Sequence, residues 1–303
     1  MTEHFVTIFN YNFIPQALAL YKSMNDHIDD FNLWVICVDD KTKKFLDKKN
    51  YNHISTVSLN NLENEELRGI KKKRTIGEYI WTLTPFLPDW IFRIDSKVNR
   101  LTFLDADTFF LKNPKHIYLE YENSNKPILI TRHNYDPIYD QSEKSGIYCV
   151  QFIIFDRLNG KEVRDLWKKE CLDWCYNKFE DGKFGDQKYL DKWPEIFSSE
   201  VHVLSKDNAF QAPWNARVYN YSDATMWHFQ GFRIIKKNRF VLFGNYKVPR
   251  KVINNVYSDY IKIIKLNLLQ LDYEIIQGKN LPIINKIKSQ FKFYLIYFKS
   301  FFR

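Results

Sequence analysis

Glycine is scarce in this 303-residue sequence, with nine residues in all. Neither G-x-G-x-x-G nor G-x-x-x-x-G-K-[ST] occurs, which argues against a Rossmann dinucleotide site and a P-loop, because both need glycine where the backbone approaches phosphate. No window offers about 18 uninterrupted apolar residues, so we expect no membrane-spanning helix. The opening stretch, MTEHFVTIFNYNF, lacks a basic region followed by a long apolar run, so we expect no signal peptide.

Cysteine is also rare, and its four positions are Cys37, Cys149, Cys171 and Cys175. The first two fall in apolar, strand-like runs, and the other two lie four residues apart on a predicted helix. A lone C-x-x-x-C without a second pair or a nearby histidine is a weak metal signal. We therefore expect four buried free thiols and a reducing, cytoplasmic environment.

Basic and aromatic residues are abundant, with a net charge of +9 and an aromatic content of 17%. A basic excess favours a phosphate-rich partner, which can be a nucleic acid, a nucleotide or an anionic membrane. The excess is concentrated at residues 71–74 and beyond Ile235, and a solvated surface is the alternative interpretation of either cluster. No zinc-finger or RNP-like pattern accompanies the charge, so we do not expect a nucleic-acid partner.

Short apolar runs alternate with amphipathic segments along the chain. The expected strands cover residues 5–9, 33–38, 53–59, 101–104, 127–131 and 148–155. A first helix is expected to begin near Pro15, and three more are expected at 41–49, 74–84 and about 160–178. A shorter helix is expected within 185–193. Because strands and helices alternate, the pattern predicts an α/β fold built on a parallel sheet.

The stretch TFLDADTFFLKNP, residues 102–114, ends an apolar run in two aspartates, Asp105 and Asp107. Asp39 and Asp40 follow another apolar run in the same way. Ligands of open α/β sheets bind beyond the carboxyl ends of the strands. Two carboxylates this close repel each other unless a cation lies beside them, and oxygen ligands favour Mg²⁺ or Mn²⁺ completed by substrate phosphates. The motif therefore predicts a metal site for a phosphate-bearing substrate.

Two other interpretations of this motif stay open. In a simple turn, Asp105 and Asp107 would cap backbone amides. A haloacid-dehalogenase-like phosphatase would carry the motif on its first strand, with a threonine two positions after the second aspartate. Here Thr108 follows Asp107 directly, and no later strand ends in paired aspartates to complete such a metal site. These differences argue against the phosphatase.

Four segments occur in the order RTIGEYIWTLTPFL, LTFLDADTFFLKNP, FGDQKYLDKWP and WHFQGFR. Together they resemble the bacterial GT-A-fold glycosyltransferases related to glycosyltransferase family 8, over roughly residues 4–245. The resemblance implies an α/β fold with a mixed, mostly parallel central sheet flanked by helices. It also implies metal-dependent transfer of a hexose from a nucleotide diphosphate sugar, with a UDP-sugar as the expected donor, to a sugar hydroxyl of a surface-glycan acceptor.

The resemblance further implies a set of metal ligands. Asp105 and Asp107 match the D-x-D motif that holds Mn²⁺ or Mg²⁺, and His228, in an H-x-x-G segment ending at Gly231, matches the third ligand. An imidazole suits Mn²⁺, which accepts nitrogen as well as oxygen. If the residue is considered alone, a histidine packed within a strand is the alternative interpretation of His228.

Asp186 and Gln187 match the Asp-Gln pair that faces the transferred sugar in the family. A carboxylate and an amide can hold sugar hydroxyls and stabilise a positively charged anomeric carbon. The resemblance therefore implies that both residues are catalytic. On the residues alone, Asp186 is also a candidate helix N-cap.

The resemblance places a larger set of residues on the donor, namely Thr7, Phe9, Asn10, Asp39, Arg74, Glu78, Asp105, Ala106, Asp107, Gly231 and Arg233. The first three would lie near the base, and Asp39 near the base or the ribose. Arg74 and Glu78 would line the donor pocket from the helix that precedes the D-x-D strand.

The sequence departs from the family pattern in two places. Where the family often has Asn-x-Gly in the strand after the D-x-D, this chain has YCVQF, with Cys149 and Gln151. Where the family has a pyrophosphate-binding lysine, three residues after the glycine of H-x-x-G, this chain has Ile234. Arg233 and Lys236 are the candidates to replace that lysine, and an arginine can bind phosphate bidentately.

We expect a catalytic domain over residues 1–250, with a donor-binding half to about residue 114 and an acceptor-binding half from about residue 115. A helical segment would follow at 251–303. Near its end, six apolar residues recur at steps of three and four, namely Ile284, Ile287, Phe291, Tyr294, Phe298 and Phe301. Basic residues occupy the other faces. Such a helix can lie flat on an anionic membrane, and packing against the protein body is the alternative.

These expectations give a cytoplasmic enzyme that is peripheral at the inner face of the cell membrane and acts on a lipid-linked or surface-glycan acceptor. Family 8 implies retention of anomeric configuration, whereas an inverting enzyme would need a base, for which Asp186 is the candidate. A membrane-attached, non-catalytic glycan-binding or scaffold protein is the alternative, and the presence of Gln187 and His228 beside the aspartates argues against it. The sequence leaves the donor sugar, the base, the acceptor, the linkage and the oligomeric state open.

Overall fold

A computed structural model of the chain describes residues 2–236 and 238–271. Its strands are β1 (Glu3–Phe9), β2 (Phe31–Cys37), β3 (Ile54–Ser58), β4 (Arg100–Leu104), β5 (Thr108–Phe110), β6 (Ile128–Arg132), β7 (Tyr148–Asp156), β8 (Val201–Val203), β9 (Phe210–Gln211), β10 (Met226–His228), β11 (Arg233–Lys236) and β12 (Arg239–Val241). Seven of them form a central sheet in the order β3-β2-β1-β4-β7-β6-β8.

The sheet is mixed. Strands β1, β2, β3 and β4 pair in parallel, as do β6 and β8, whereas β7 runs antiparallel to both of its neighbours, β4 and β6. The mixed, mostly parallel sheet is confirmed, and the strand positions agree with the sequence pattern to within two residues at each end. The run of parallel strands brings the ends of β1, β2 and β4 to one edge of the sheet.

The α-helices are α1 (Ile14–His27), α2 (Asp40–Lys49), α3 (Glu65–Lys71), α4 (Ile76–Leu83), α5 (Leu87–Ile94), α6 (Lys115–Ser124), α7 (Ser142–Ser145), α8 (Lys161–Asp173), α9 (Trp193–Ile196), α10 (Arg250–Val252) and α11 (Ser258–Leu268). Local side chains fix several helix starts. Asp39 caps α2 by accepting a hydrogen bond from the Thr42 amide, and Thr75 and Glu78 form a capping box at α4.

Two apolar clusters cover the two faces of the sheet. Alternating residues of one strand enter different clusters, so that Phe5 of β1 belongs to the first cluster and Val6 to the second, and both are fully buried. All four cysteines are buried and free, as the composition predicts. Among the described helices, none is long and apolar enough to cross a bilayer.

A small second sheet, in the order β5-β10-β9, begins after the three residues that follow β4. Its antiparallel register pairs Thr108 with His228, and the Phe229 amide donates a hydrogen bond to the Asp107 carbonyl oxygen at 2.8 Å. This register brings a residue from late in the chain next to the second aspartate of the D-x-D motif.

Two boundaries differ from the sequence prediction. Helix α8 ends at Asp173 and not near residue 178, because Trp174 adopts an extended conformation and the following chain folds back, with the Gly185 amide bonded to the Tyr176 carbonyl oxygen. The shorter helix expected within 185–193 is a 3-10 turn at Lys188–Lys192 that leads into α9.

The chain beyond residue 250 is helical through Leu268, where a π-helical turn at Ile253–Tyr257 joins α10 to α11. This helix packs into the first apolar cluster, with Tyr260 stacked on Phe229. The Asn267 side chain donates a hydrogen bond to the Pro15 carbonyl oxygen. The apolar core therefore continues to Leu271, past residue 250, where we expected the first domain to end. The amphipathic pattern at 284–301 lies outside the described residues.

Candidate active site

A cleft of about 540 Å³ opens at the edge where β1 and β4 end. The D-x-D motif lines it directly after β4, with the side chains of Asp105, Ala106 and Asp107, and Phe9 lines it from the end of β1. His228, Arg233, Asp186 and Gln187 of the predicted site also line this cleft. The fold thus gathers residues from four separate sequence segments around one cavity.

The two aspartates and His228 form a close cluster. The Nε2 atom of His228 lies 3.2 Å from Asp107 Oδ1 and 3.7 Å from Asp105 Oδ2. The three side chains that the family resemblance assigns to the metal are therefore brought together. Within the described part of the chain, no three His, Cys, Asp or Glu side chains form a ready-made metal site, so an ion here would require small side-chain adjustments.

The cluster is electrostatically uneven. Burial raises the pKa of Asp105 to about 7, and the charge of Asp107 adds to that effect. Burial would also raise the pKa of Asp107, but the charge and the hydrogen bond of His228 lower it overall. In the same way, Asp107 holds the pKa of His228 well above its usual range despite burial. The positive charge of His228 therefore balances the negative charge of Asp107, and a cation bound at this cluster would take over that role.

Gln151 orients His228. The His228 Nδ1 atom lies 2.9 Å from Gln151 Oε1, and because an amide oxygen only accepts hydrogen bonds, Nδ1 carries the proton. The other ring nitrogen, Nε2, therefore faces the aspartates. A polar partner on the second nitrogen is the usual arrangement for a metal-binding histidine. Two carboxylates and an imidazole held in this way fit Mn²⁺ or Mg²⁺.

This role of Gln151 was missed in the sequence, where the residue counts as a departure from the family pattern. The one sequence feature that could have indicated this role is the period-two alternation of β7, which places Cys149 and Gln151 on the same face of the strand. Cys149 lines the cleft next to two imidazoles. Burial would raise the pKa of its thiol, but the neighbouring His133 and His228 lower that pKa to about 6.

Asp186 and Gln187 enter the cleft from the loop that follows α8. Buried Trp167 donates a hydrogen bond from Nε1 to the Asp186 carbonyl oxygen at 2.8 Å, and Gln187 Nε2 donates to the Ser145 carbonyl oxygen at 2.6 Å. Burial, with the charge of Asp105, raises the pKa of Asp186 to about 8. Asp186 does not cap a helix, because the following 3-10 turn begins after Gln187.

Gly231 and Ile234 show how the H-x-x-G segment is built. Gly231 adopts φ +83°, a conformation that favours glycine, but it does not line the cleft. Ile234 is fully buried, so it cannot replace the family's pyrophosphate-binding lysine. Arg233 lines the cleft and its charge contributes to lowering the pKa of Asp107. The side chain of Lys236, the other candidate, lies outside the described residues.

Three of the predicted contacts with the base or the ribose do not line the cleft. Thr7 is fully buried in β1, and the Asn10 side chain accepts a hydrogen bond from the Asn12 amide. Asp39 accepts hydrogen bonds from the Tyr11 amide at 2.9 Å and from the Thr42 amide at 2.8 Å. Asn10 and Asp39 thus hold the turns that follow β1 and β2, and the contact of all three residues with a nucleotide stays a prediction.

Arg74 and Glu78 also point away from the cleft lining. Arg74 donates hydrogen bonds to the carbonyl oxygens of Cys171 and Leu172, and Glu78 accepts one from the Asn177 amide at 2.9 Å. Both side chains therefore tie α4 to the segment that leads to Asp186. The face of α4 that does line the cleft carries Gly77, Ile80 and Trp81, which the sequence analysis missed.

An aromatic group lines the opposite side of the cleft. Tyr135 stacks on His133 with ring centroids 4.6 Å apart, and Trp214 donates a hydrogen bond from Nε1 to the His133 carbonyl oxygen. Trp214 also meets the His228 ring edge to face at 5.4 Å. These rings come from two loops whose irregular sequence carries no periodic signal, so their convergence was not predicted.

Comparison with known proteins places the chain in a family. It is 30% identical over 285 residues to YfnD of Bacillus subtilis (strain 168), an uncharacterized protein, over 87% of this chain and 89% of YfnD. The chain belongs to the YfnD family. YfnF of the same organism, also uncharacterized, is 26% identical to this YfnD-family protein over 299 residues, covering 90% of the chain and 96% of YfnF. No model of a known protein family matches the sequence.

Several solved glycosyltransferase structures have the same architecture. The galactosyltransferase LgtC, determined with donor and acceptor sugar analogs, superposes with a TM-score of 0.55 at 11% identity, over 86% of this YfnD-family chain and 95% of LgtC. Mouse xyloside xylosyltransferase 1 gives a TM-score of 0.53 at 12% identity, over 82% of this chain and 100% of the mouse chain. The protein therefore has the GT-A fold, as the family resemblance implied.

Proposed function

We propose that this protein is a metal-dependent glycosyltransferase of the family 8 type, which moves a hexose from a nucleotide diphosphate sugar, with UDP-sugars foremost, to a hydroxyl of a surface glycan. The observation that carries the proposal is the convergence of Asp105, Asp107 and His228 in a cleft that also holds Asp186 and Gln187. The GT-A fold around that cleft supports it.

Asp105, Asp107 and His228 are the residues that would hold Mn²⁺ or Mg²⁺. Such an ion neutralises charge that develops on a diphosphate leaving group. Gln151 fixes the ring of His228 because its Oε1 accepts a hydrogen bond from His228 Nδ1. Arg233, beside Asp107 in the cleft, would add a guanidinium for the phosphate oxygens.

Asp186 and Gln187 would bind the transferred sugar. Their anchoring through Trp167 and the Ser145 carbonyl oxygen holds them in place before substrate arrives, which preorganises the site. In a retaining reaction they orient sugar hydroxyls, and Asp186 in its ionised form would stabilise positive charge at the anomeric carbon. In an inverting reaction Asp186 would accept the proton of the attacking hydroxyl, and its pKa, raised to about 8, suits a general base.

The acceptor would enter beside Tyr135 and Trp214, which line the cleft and whose aromatic rings suit the C–H face of a sugar. We further propose that the acceptor is lipid-linked and that the basic segment at 284–303 holds the enzyme at the inner face of the cytoplasmic membrane. Flotation of the full-length protein with anionic liposomes, compared with a variant that lacks residues 280–303, tests this part. Equal flotation of both proteins would contradict it.

Nucleotide release from a panel of UDP-, GDP-, CDP- and dTDP-sugars, with Mn²⁺ or with EDTA, tests the activity. We expect at least one donor to be turned over with Mn²⁺ and none with EDTA. Cleavage of a phosphomonoester without turnover of any nucleotide sugar would favour a phosphatase. Calorimetry that finds no nucleotide binding in the presence of Mn²⁺ would favour a non-catalytic protein.

A further inference from the structure

One wall of the cleft next to the predicted sugar-binding pair is apolar. Helix α4 presents Gly77, Ile80 and Trp81 to the cleft, and Phe184 lines it from the neighbouring loop. The spacing of the α4 residues puts them on one face of the helix. None of the four positions carries a charge, which distinguishes this wall from the acidic cluster at Asp105 and Asp107.

Trp81 lies directly beside the sugar-binding pair. A Cβ atom built on Gly185, the residue before Asp186, would lie 3.5 Å from the Trp81 ring. Gly185 also adopts φ +53°, a conformation that glycine tolerates because it has no Cβ atom, and the backbone can therefore turn close to the indole. Trp81 therefore lies next to the loop that carries Asp186 and Gln187, and a sugar held by this pair would lie beside the indole.

The hydroxyl nearest to this wall is already engaged. Thr84 donates a hydrogen bond to the Ile80 carbonyl oxygen at 3.3 Å and its hydroxyl also contacts Asp186. Polar residues reach the cleft from the neighbouring loops, namely Ser145, Asn177 and Gln187. A sugar held between α4 and these loops would receive hydrogen-bond partners as well as hydrocarbon.

We propose that the donor sugar carries a methyl group, as a 6-deoxy or an N-acetyl substituent, that packs against Trp81, Ile80 and Phe184. This inference rests on the proposed glycosyltransferase activity and narrows its substrate class. A hydroxyl in the same position would lose its hydrogen bonds to water without gaining a hydrogen-bond partner on the protein. A methyl group instead contributes favourable free energy when it is removed from water. One methyl in an apolar pocket changes selectivity roughly 10- to 200-fold.

Matched donors test the proposal. The first pair is UDP-6-deoxyglucose and UDP-glucose, and the second is UDP-N-acetylglucosamine and UDP-glucose, with the same sugars on GDP, CDP or dTDP if one of these nucleotides binds more tightly than UDP. We expect one methylated donor to exceed its partner in kcat/KM by roughly 10-fold or more. The pair that shows the preference identifies the substituent.

Variants connect the preference to the wall. Trp81→Gln should reduce the ratio between the paired donors to near one and leave the affinity for the free nucleoside diphosphate unchanged, whereas Trp81→Phe should keep the preference. Phe184→Gln provides a second test in case Trp81→Gln unfolds. Trp174→Gln is the matched control, because Trp174 is partly buried and does not line this cleft.

A preference for the unmethylated donors, or a ratio that survives both Trp81→Gln and Phe184→Gln, would overturn the inference. Loss of affinity for the free nucleoside diphosphate in Trp81→Gln would also overturn it, because the wall would then contact the nucleotide and not the sugar. Failure of the proposed function itself looks different, since no nucleotide sugar would bind or turn over with Mn²⁺ in the unmodified protein.

Discussion

Two strands of the central sheet end in a pair of aspartates, and the two pairs have different environments. After β2, Asp39 uses its carboxylate oxygens to bind the amides of Thr42 and Tyr11. After β4, Asp105 and Asp107 face His228 across the cleft. The first pair shapes the start of a helix, and the second builds a candidate metal site.

The difference lies in what the rest of the chain brings to each strand end. At β2 the chain turns at once into α2, whose free amides compete for the carboxylate. At β4 the chain continues into β5, whose pairing with β10 delivers His228. We propose that a strand-end aspartate becomes a metal ligand when a distant segment supplies a further ligand beside it, as β10 supplies His228.

The largest effect should come from removing the second pair. Replacing both Asp105 and Asp107 with alanine should lower the transfer rate by at least about 10³-fold, since several kcal/mol of charge stabilisation on the leaving group is lost. Nucleotide release with Mn²⁺ measures it, and circular dichroism confirms folding. Unchanged activity would show that the two pairs do not differ in function.

Gln151→Leu should have an intermediate effect. Removing the acceptor of the His228 Nδ1 proton leaves the ring free to rotate, and loss of such a partner typically weakens metal affinity about 10- to 100-fold. Mn²⁺ titration of activity should show a raised half-saturation concentration, with the rate largely restored at high Mn²⁺. A lower rate that no Mn²⁺ concentration restores would point to a different role for Gln151.

Asp39→Ala should have the smallest effect on activity. We expect about 1 kcal/mol lower stability through loss of the helix cap, measured by urea unfolding, with nucleotide affinity almost unchanged. Asp40→Ala is the control, because Asp40 is exposed in the first turn and caps nothing. If nucleotide affinity falls in Asp39→Ala while stability holds, Asp39 is a donor contact and the contrast between the two pairs fails.

Much of the fold follows from local patterns in the sequence. Apolar runs such as residues 33–38 and 148–155 predict the strands, and residues 41–49 predict α2, because burial on a sheet and on a helix imposes different periodicities. The end of α8 was placed too late, since Trp174 continues the apolar pattern although its backbone leaves the helix. The end of α8 depends on contacts within the loop that follows it, which the local sequence pattern does not show.

The candidate site was only partly predictable. Asp105 and Asp107 can be predicted because they place two charges at the end of an apolar run. His228 and Asp186 required a resemblance to known enzymes, because a single histidine or aspartate has many ordinary structural roles. Gln151 and Trp81 gain their significance from neighbours far along the chain, namely His228 and Gly185, which no local pattern reveals.

Electron paramagnetic resonance of Mn²⁺ bound in the presence of UDP, with GDP, CDP and dTDP as alternatives, tests the central claim most directly. The account predicts one bound Mn²⁺ per chain with the cognate nucleotide. It also predicts loss of that ion when Asp105 and Asp107 are both replaced by alanine, and retention of the ion in Asp39→Ala. Unchanged Mn²⁺ binding in the Asp105 and Asp107 double variant would contradict it.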